Sequence, residues 1–201
     1  MRLFVAVDLS EDARRQIAVE QQRIAAALRG TTSIKWVRAE HAHLTLVFLG
    51  SVDDTRVPSV VDALGRDVEV PPFEMILEGV GVFPRRGAPR VLWLGVAAGT
   101  TELSDLQRLM AERVTALGIE LENRPFHPHL TLGRWRASRP ADRDRVLAAA
   151  PSGAIARVPI ECATLYESRL SSSGSSYLAR ARANLTRNRG VRLQPGPPRS
   201  A

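Results

Sequence analysis

The strongest constraint on this chain is a repeated hexapeptide. His41-Ala42-His43-Leu44-Thr45-Leu46 returns as His127-Pro128-His129-Leu130-Thr131-Leu132, identical at five of six positions. The copies lie 86 residues apart and hold every histidine of the 201-residue chain. On a strand, residues i, i+2 and i+4 share one face. His41, His43 and Thr45 then point one way and Ala42, Leu44 and Leu46 into a core, and the second copy divides likewise. Pro128 donates nothing to a ladder and suits a strand start or edge. The chain must therefore build two equivalent strands, each polar on one face.

The flanking sequence repeats too. An apolar strand over residues 2–9 leads into a helix capped by Ser10, with Ala13, Ile17, Ile24 and Leu28 at helical spacing and Gly30 as its stop. A strand over 90–97 leads into a helix capped by Thr100 or Thr101, carrying Leu103, Leu106, Met110, Val114 and Leu117 and closed by Gly118. The strand starts, near residues 3 and 91, are 88 apart, close to the motif spacing. In the first half strands follow at 34–38 and 43–49, a helix over about 57–68, and a strand over 73–83. In the second half short strands are expected at 119–122 and 129–135, a helix near 141–150, and a β-rich end covering about 154–166 and 176–185 joined by a Ser/Gly turn at 171–175. Residues 186–201 combine Pro, Gly and Arg with little to bury, and read as a disordered basic tail.

Charge discriminates less than it first promises. The net charge is +7, but residues 180–201 carry six arginines and no acid, leaving +1 for the rest. The excess raises non-specific affinity for RNA, or equally reflects a bias in which arginine replaces lysine everywhere except Lys35. Cys162 is the only cysteine, which excludes an intrachain disulfide, and it reads as a buried small apolar residue. No run approaches the roughly 18 apolar residues of a membrane span. The opening reaches Asp8 before a signal-peptide apolar region forms. A cytoplasmic, monomeric protein without membrane association is expected.

Imidazole titrates nearest neutrality, so a pair can hold one neutral and one protonated member at the same pH. Opening a cyclic phosphodiester needs a base to take a proton from water on one side of phosphorus. It needs an acid on the other side to protonate the departing ribose oxygen. If the two halves pack about a pseudo-twofold axis, His43 and His129 flank one cleft and meet that requirement. The hydroxyls of Thr45 and Thr131 would hold the non-bridging oxygens. A single His-x-Thr on a strand carries little functional weight, whereas two copies in matching halves carry a great deal. His41 and His127 are left open between rim and supporting roles. Trp36 and Trp93 read as core, and Tyr166 and Tyr177 as packing across the final hairpin.

At these motifs the chain resembles the 2H phosphoesterase superfamily, and more closely the RNA 2′,3′-cyclic phosphodiesterases, or LigT-like 2′–5′ RNA ligases. The resemblance rests on Arg2 to Asp8 and on Trp36-Val37-Arg38 leading to His43-Leu44-Thr45-Leu46-Val47-Phe48-Leu49-Gly50. It continues through Gly79 to Pro84, Pro89 to Trp93 and Phe126 to Arg134, with Ser168, Gly174 and Tyr177 in the closing hairpin. It implies an α+β, bilobal LigT-like fold: two pseudo-twofold-related lobes with mainly antiparallel sheets, helices outside and a central cleft. Residues 1–185 would form one bilobal catalytic domain of two interleaved repeat units, with motifs at 43–46 and 129–132. The implied activity is hydrolysis of a terminal RNA 2′,3′-cyclic phosphate to a 2′-phosphate, with reverse 2′–5′ ligation within the family's reach and no cofactor or metal. His43 is taken as proton donor and His129 as proton acceptor, and Arg134 matches a family arginine that contacts substrate. Phe48 resembles a family aromatic near the site, but strand parity assigns it to the core-facing set.

Two other classes compete. His-x-His on a strand is also a zinc ligand pair, though neither motif brings a carboxylate or cysteine to the expected face. A non-catalytic binder of RNA 3′ ends is the other, for which histidine, largely neutral at pH 7, is an inefficient choice.

Overall fold

A computed structural model describes residues 1–28, 33–171 and 174–187. In chain order these form β1 (Arg2–Asp8), α1 (Glu11–Ala27), β2 (Ser33–Trp36), β3 (His43–Ser51), α2 (Val57–Gly65), β4 (Phe73–Phe83) and β5 (Val91–Ala98). There follow α3 (Thr100–Ala116), β6 (Leu130–Ala137), α4 (Pro140–Ala148), β7 (Ala154–Ile160), β8 (Cys162–Ser171) and β9 (Gly174–Asn184). The strands make two antiparallel sheets, one ordered β3-β1-β8-β9 and the other β2-β6-β5-β4-β7.

The halves interleave. β2 leaves the first half to edge the second sheet, and β8 and β9 return to complete the first. The helices cross as well: α1, which follows β1, packs against β7 and α4, while α3, which follows β5, packs against β3 and α2. Leu44 and Val5 of one sheet and Leu94 and Leu130 of the other join a single apolar core. Exchange of elements covers both sheets on their apolar faces and leaves their opposite faces open.

Most sequence expectations hold at the level of elements, and the differences are local. Ser10 caps α1 by accepting from the Ala13 amide (3.2 Å). Neither Thr100 nor Thr101 caps α3; the cap is Gly99, whose φ of 84° leaves no side chain to accept. Residues 119–122 form no strand, and β3 lies at the edge of its sheet. The expected stop at Gly30, the middle of the Ser/Gly turn at 172–173 and the tail from 188 onward lie outside the described residues.

The most consequential departure is a pair of bulges. On β3, Thr45 pairs with Ala6 and Val47 with Val5, leaving Leu46 as the extra residue. On β6, Thr131 pairs with Trp93 and Gly133 with Leu92, leaving Leu132. An extra residue shifts the alternation by one. Leu46 and Val47 are both buried, as are Leu132 and Gly133. Phe48 and Arg134 consequently turn to the same faces as Thr45 and Thr131. Phe48 is thus not core-facing: it is 60% exposed.

Candidate active site

Each motif histidine sits at the mouth of its strand. His43 opens β3 and His129 immediately precedes β6. His41 is not on the strand face but in a 3-10 turn over Ala39–His41, and His127 lies in the irregular stretch before β6. Their contribution is made by backbone. His43 Nδ1 donates to the His41 carbonyl (2.8 Å) and His129 Nδ1 donates to the His127 carbonyl (2.7 Å). A carbonyl only accepts, so the proton is fixed on Nδ1 and Nε2 is left to face a substrate. Two copies of one geometry thus present two equivalent ring nitrogens.

The turn behind His43 is braced from α1. Arg14 donates through Nε to the Leu9 carbonyl (3.1 Å) and through Nη1 to the carbonyls of Ala39 (3.1 Å) and Glu40. Gln21, two turns along α1, donates to the carbonyls of Val37 (2.8 Å) and Leu132 (2.9 Å). The Val37 amide donates to the same Leu132 carbonyl (2.9 Å). One helix therefore supports the His43 turn and the bulge that aims Arg134.

Around His43 the open face of the first sheet is aromatic and acidic. Phe4 stacks on the imidazole (centroids 4.9 Å apart) and Tyr177 meets it edge-on (5.0 Å). Tyr166 stacks on Phe4 (5.4 Å), and Phe48 tilts over it (6.0 Å). Asp8 is the cross-strand partner of His43. Its carboxylate accepts from Tyr166 Oη (2.5 Å) and Thr164 Oγ1 (2.8 Å), with Arg182 Nη2 at 3.8 Å. Burial and this carboxylate push the Tyr166 phenol far above its ordinary value.

Around His129 the second sheet offers Phe83 edge-on (5.3 Å) and Trp93 (6.2 Å). Trp93 is half-buried and, as the cross-strand partner of Thr131, lies on the site face, not in the core. Gly81 opposite it makes this possible, since a Cβ there would fall 2.1 Å from the indole. Burial lowers the pKa of both histidines; Asp8 opposes this at His43, whereas Arg134 adds to it at His129.

Of the residues selected from sequence, Thr45 lies on the face of His43, and Thr131 and Arg134 on that of His129. Strands β3 and β6 approach each other, with Cα atoms within 8 Å. Trp93, Phe4, Asp8 and the two tyrosines were not selected from sequence, yet they stand beside the histidines, and Phe48 joins them through Phe4. For Phe48 a signal existed: it stands five residues after His43, as Arg134 stands five after His129. Among the described residues no three His, Cys, Asp or Glu side chains gather as a metal site, and no helix is long and apolar enough to cross a membrane.

The family described as LigT like Phosphoesterase matches residues 7–93 and, a second time, 94–177. The chain belongs to this family. Among LigT-like relatives, the RNA 2′,3′-cyclic phosphodiesterase of Archaeoglobus fulgidus is 37% identical over 146 residues, 73% of this chain and 79% of the relative. The protein of the same name from Methanothermobacter thermautotrophicus is 38% identical, over 71% of this chain and 76% of its own. Among solved LigT-like structures, E. coli LigT complexed with 3′-AMP superposes with a TM-score of 0.72 at 29% identity, covering 92% of this chain and 98% of that one. TT0787 of Thermus thermophilus gives 0.71 at 31% identity, covering 94% and 100%.

Proposed function

We propose that this chain is an RNA 2′,3′-cyclic phosphodiesterase in which His43 and His129 act on one phosphate. The observation that carries the mechanism is the matched pair of Nδ1–carbonyl bonds, which leaves both Nε2 atoms free for proton transfer. His129 takes a proton from water as the oxygen attacks phosphorus. The P–O3′ bond breaks, and the imidazolium of His43 delivers its proton to the departing 3′ oxygen. The products are a 3′-hydroxyl and a 2′-phosphate. With a 5′-hydroxyl in place of water as the attacking group, the same displacement forms a P–O5′ bond as P–O3′ breaks, and the same two histidines serve a 2′–5′ ligation.

The division of labour follows the charge around each ring. Burial disfavours an imidazolium at both rings; a carboxylate, Asp8, counters this only at His43, where Arg14 works against it, and the Arg134 guanidinium adds to the effect of burial at His129. Thr45 and Thr131 hold the non-bridging oxygens, Arg134 pairs with phosphate, and Phe48 offers its exposed face to a base. The substrate reading is an RNA or oligonucleotide ending in a 2′,3′-cyclic phosphate, handled by a monomer without a cofactor.

The test is incubation with such an RNA and identification of the product phosphate. The expected product carries it on the 2′ oxygen. His43→Asn and His129→Asn should each fold and each lose turnover by about 10²–10⁴-fold. A 3′-phosphate product, or full turnover in either folded variant, overturns the reading.

A further inference from the structure

Across the second sheet, one rung of the ladder runs Phe83–Val91–Arg134–Lys35, from β4 through β5 and β6 to the edge strand β2. Phe83 at its inner end touches His129. Cross-strand partners project from the same face, so Arg134 and Lys35 stand side by side on the face that carries Thr131. Like charges directly opposite each other repel, and no acid relieves them: β2, β5 and β6 contain none. At the same end of the sheet stand Arg85, Arg86 and Arg90, in the connection between β4 and β5, and Arg136 further along β6. All six cations are exposed, and none makes an ion pair or side-chain hydrogen bond with another described residue. Most exposed arginines elsewhere among the described residues hold carboxylates, as Arg66 holds Asp62 and Arg157 holds Glu74, while those that do not, such as Arg2 and Arg139, do not gather at one sheet end. The concentration of unpaired cations at one sheet end, continuous with the catalytic face, is the shape of a polyanion site.

We propose that Lys35 and Arg134, continued by Arg136 and the arginines of the β4–β5 connection, form a phosphodiester track that carries the RNA body from the cleft out over the β2 edge. This rests on the cleft being the cyclic phosphodiesterase site. The terminal nucleotide is served by the histidines, threonines and Arg134. Lys35 and Arg136 meet only the phosphates that precede it, so the enzyme favours oligonucleotides over mononucleotides for a reason separate from its chemistry.

The experiment compares the wild type with Lys35→Gln/Arg136→Gln on a nucleoside 2′,3′-cyclic monophosphate and on a single-stranded oligonucleotide with the same end. For the variant, kcat/KM on the oligonucleotide should fall at least about fivefold at low salt, with the mononucleotide unchanged. The slope of log KM against log salt for the oligonucleotide should become shallower by about 1.4, at roughly 0.7 for each lost phosphate contact. Lys35→Arg, which keeps the charge, should match the wild type. An unchanged ratio between the substrates, or an equal loss on both, overturns the track. If the wild type turns over neither substrate, the phosphodiesterase reading fails instead. Binding of a 2′-phosphate-ended oligonucleotide by fluorescence anisotropy then decides the track alone: weaker binding by the double variant supports it, and equal binding overturns it.

Discussion

Gly81→Ala tests how the second sheet aims His129, and the contacts of Trp93 set the size of the effect. The new Cβ would lie 2.1 Å from Trp93 Cζ2 and 2.2 Å from Cη2. Carbon atoms settle at about 3.5 Å or beyond, so the indole must retreat by about 1.4 Å. Phe83 blocks one side at 5.1 Å between centroids, and His129 stands at 6.2 Å. Trp93 Nε1 is buried without a hydrogen-bond partner, so packing alone holds the ring. The ring moves toward the imidazole. Overpacking of this kind costs about 1–3 kcal/mol, and for a chain of this length each kcal/mol lowers Tm by about 2–4 °C. A displacement of about 1 Å at a catalytic group can remove about 10²-fold of the rate. Thermal unfolding and steady-state kinetics on a cyclic mononucleotide read both effects. Trp93→Leu removes the atoms that the methyl would meet, so Gly81→Ala should be much less costly on that background, a coupling that a double-mutant cycle measures. A Gly81→Ala protein matching the wild type in both Tm and kcat would refute the reasoning.

Phe48→Ala should leave Tm nearly unchanged, because the ring is 60% exposed, yet raise KM by ~5- to 150-fold if a base stacks there at about 1–3 kcal/mol; an unchanged KM argues against the platform. The pH dependence of kcat/KM should be a bell whose maximum lies below about 6.5, because burial lowers both histidines and one must be protonated while the other is neutral. Asp8→Asn removes the one carboxylate that supports the His43 imidazolium, so the alkaline limb should move to lower pH; a shift the other way contradicts the assignment of acid and base. Stability should also fall on acidification. With both histidines depressed in the fold, the unfolded chain binds more protons once the pH drops below about 6.5, and the loss continues through the folded values. Urea unfolding at pH 7.5 and 5.5 checks the sign, and replacing both histidines by asparagine should flatten the difference.

Local rules reached far into this chain because its site is periodic. The doubled His-x-Thr, alternating apolar residues and Ser10 before an amphipathic run are short-range signals, and β1, α1, β3 and β6 answer to them. Parity also placed Thr45 and Thr131 beside their histidines. It failed one step later: Leu46 and Leu132 resemble any other buried leucine, and nothing local marks them as bulge residues. Only pairing with β1 and β5 makes each the extra residue.

The sequence by itself therefore determined which groups are the candidates for the chemistry and that there are two sets of them, since composition and spacing are properties of the chain. Tertiary structure decided what surrounds those groups. Asp8 is 156 residues from Thr164 and 158 from Tyr166, and Gln21 is 111 from Leu132. These contacts set the local charge and aim of the site, while the tautomer is set locally by the carbonyls two residues before each histidine. They arise because elements exchanged between the halves share one core, and no local pattern encodes a partner that far along the chain.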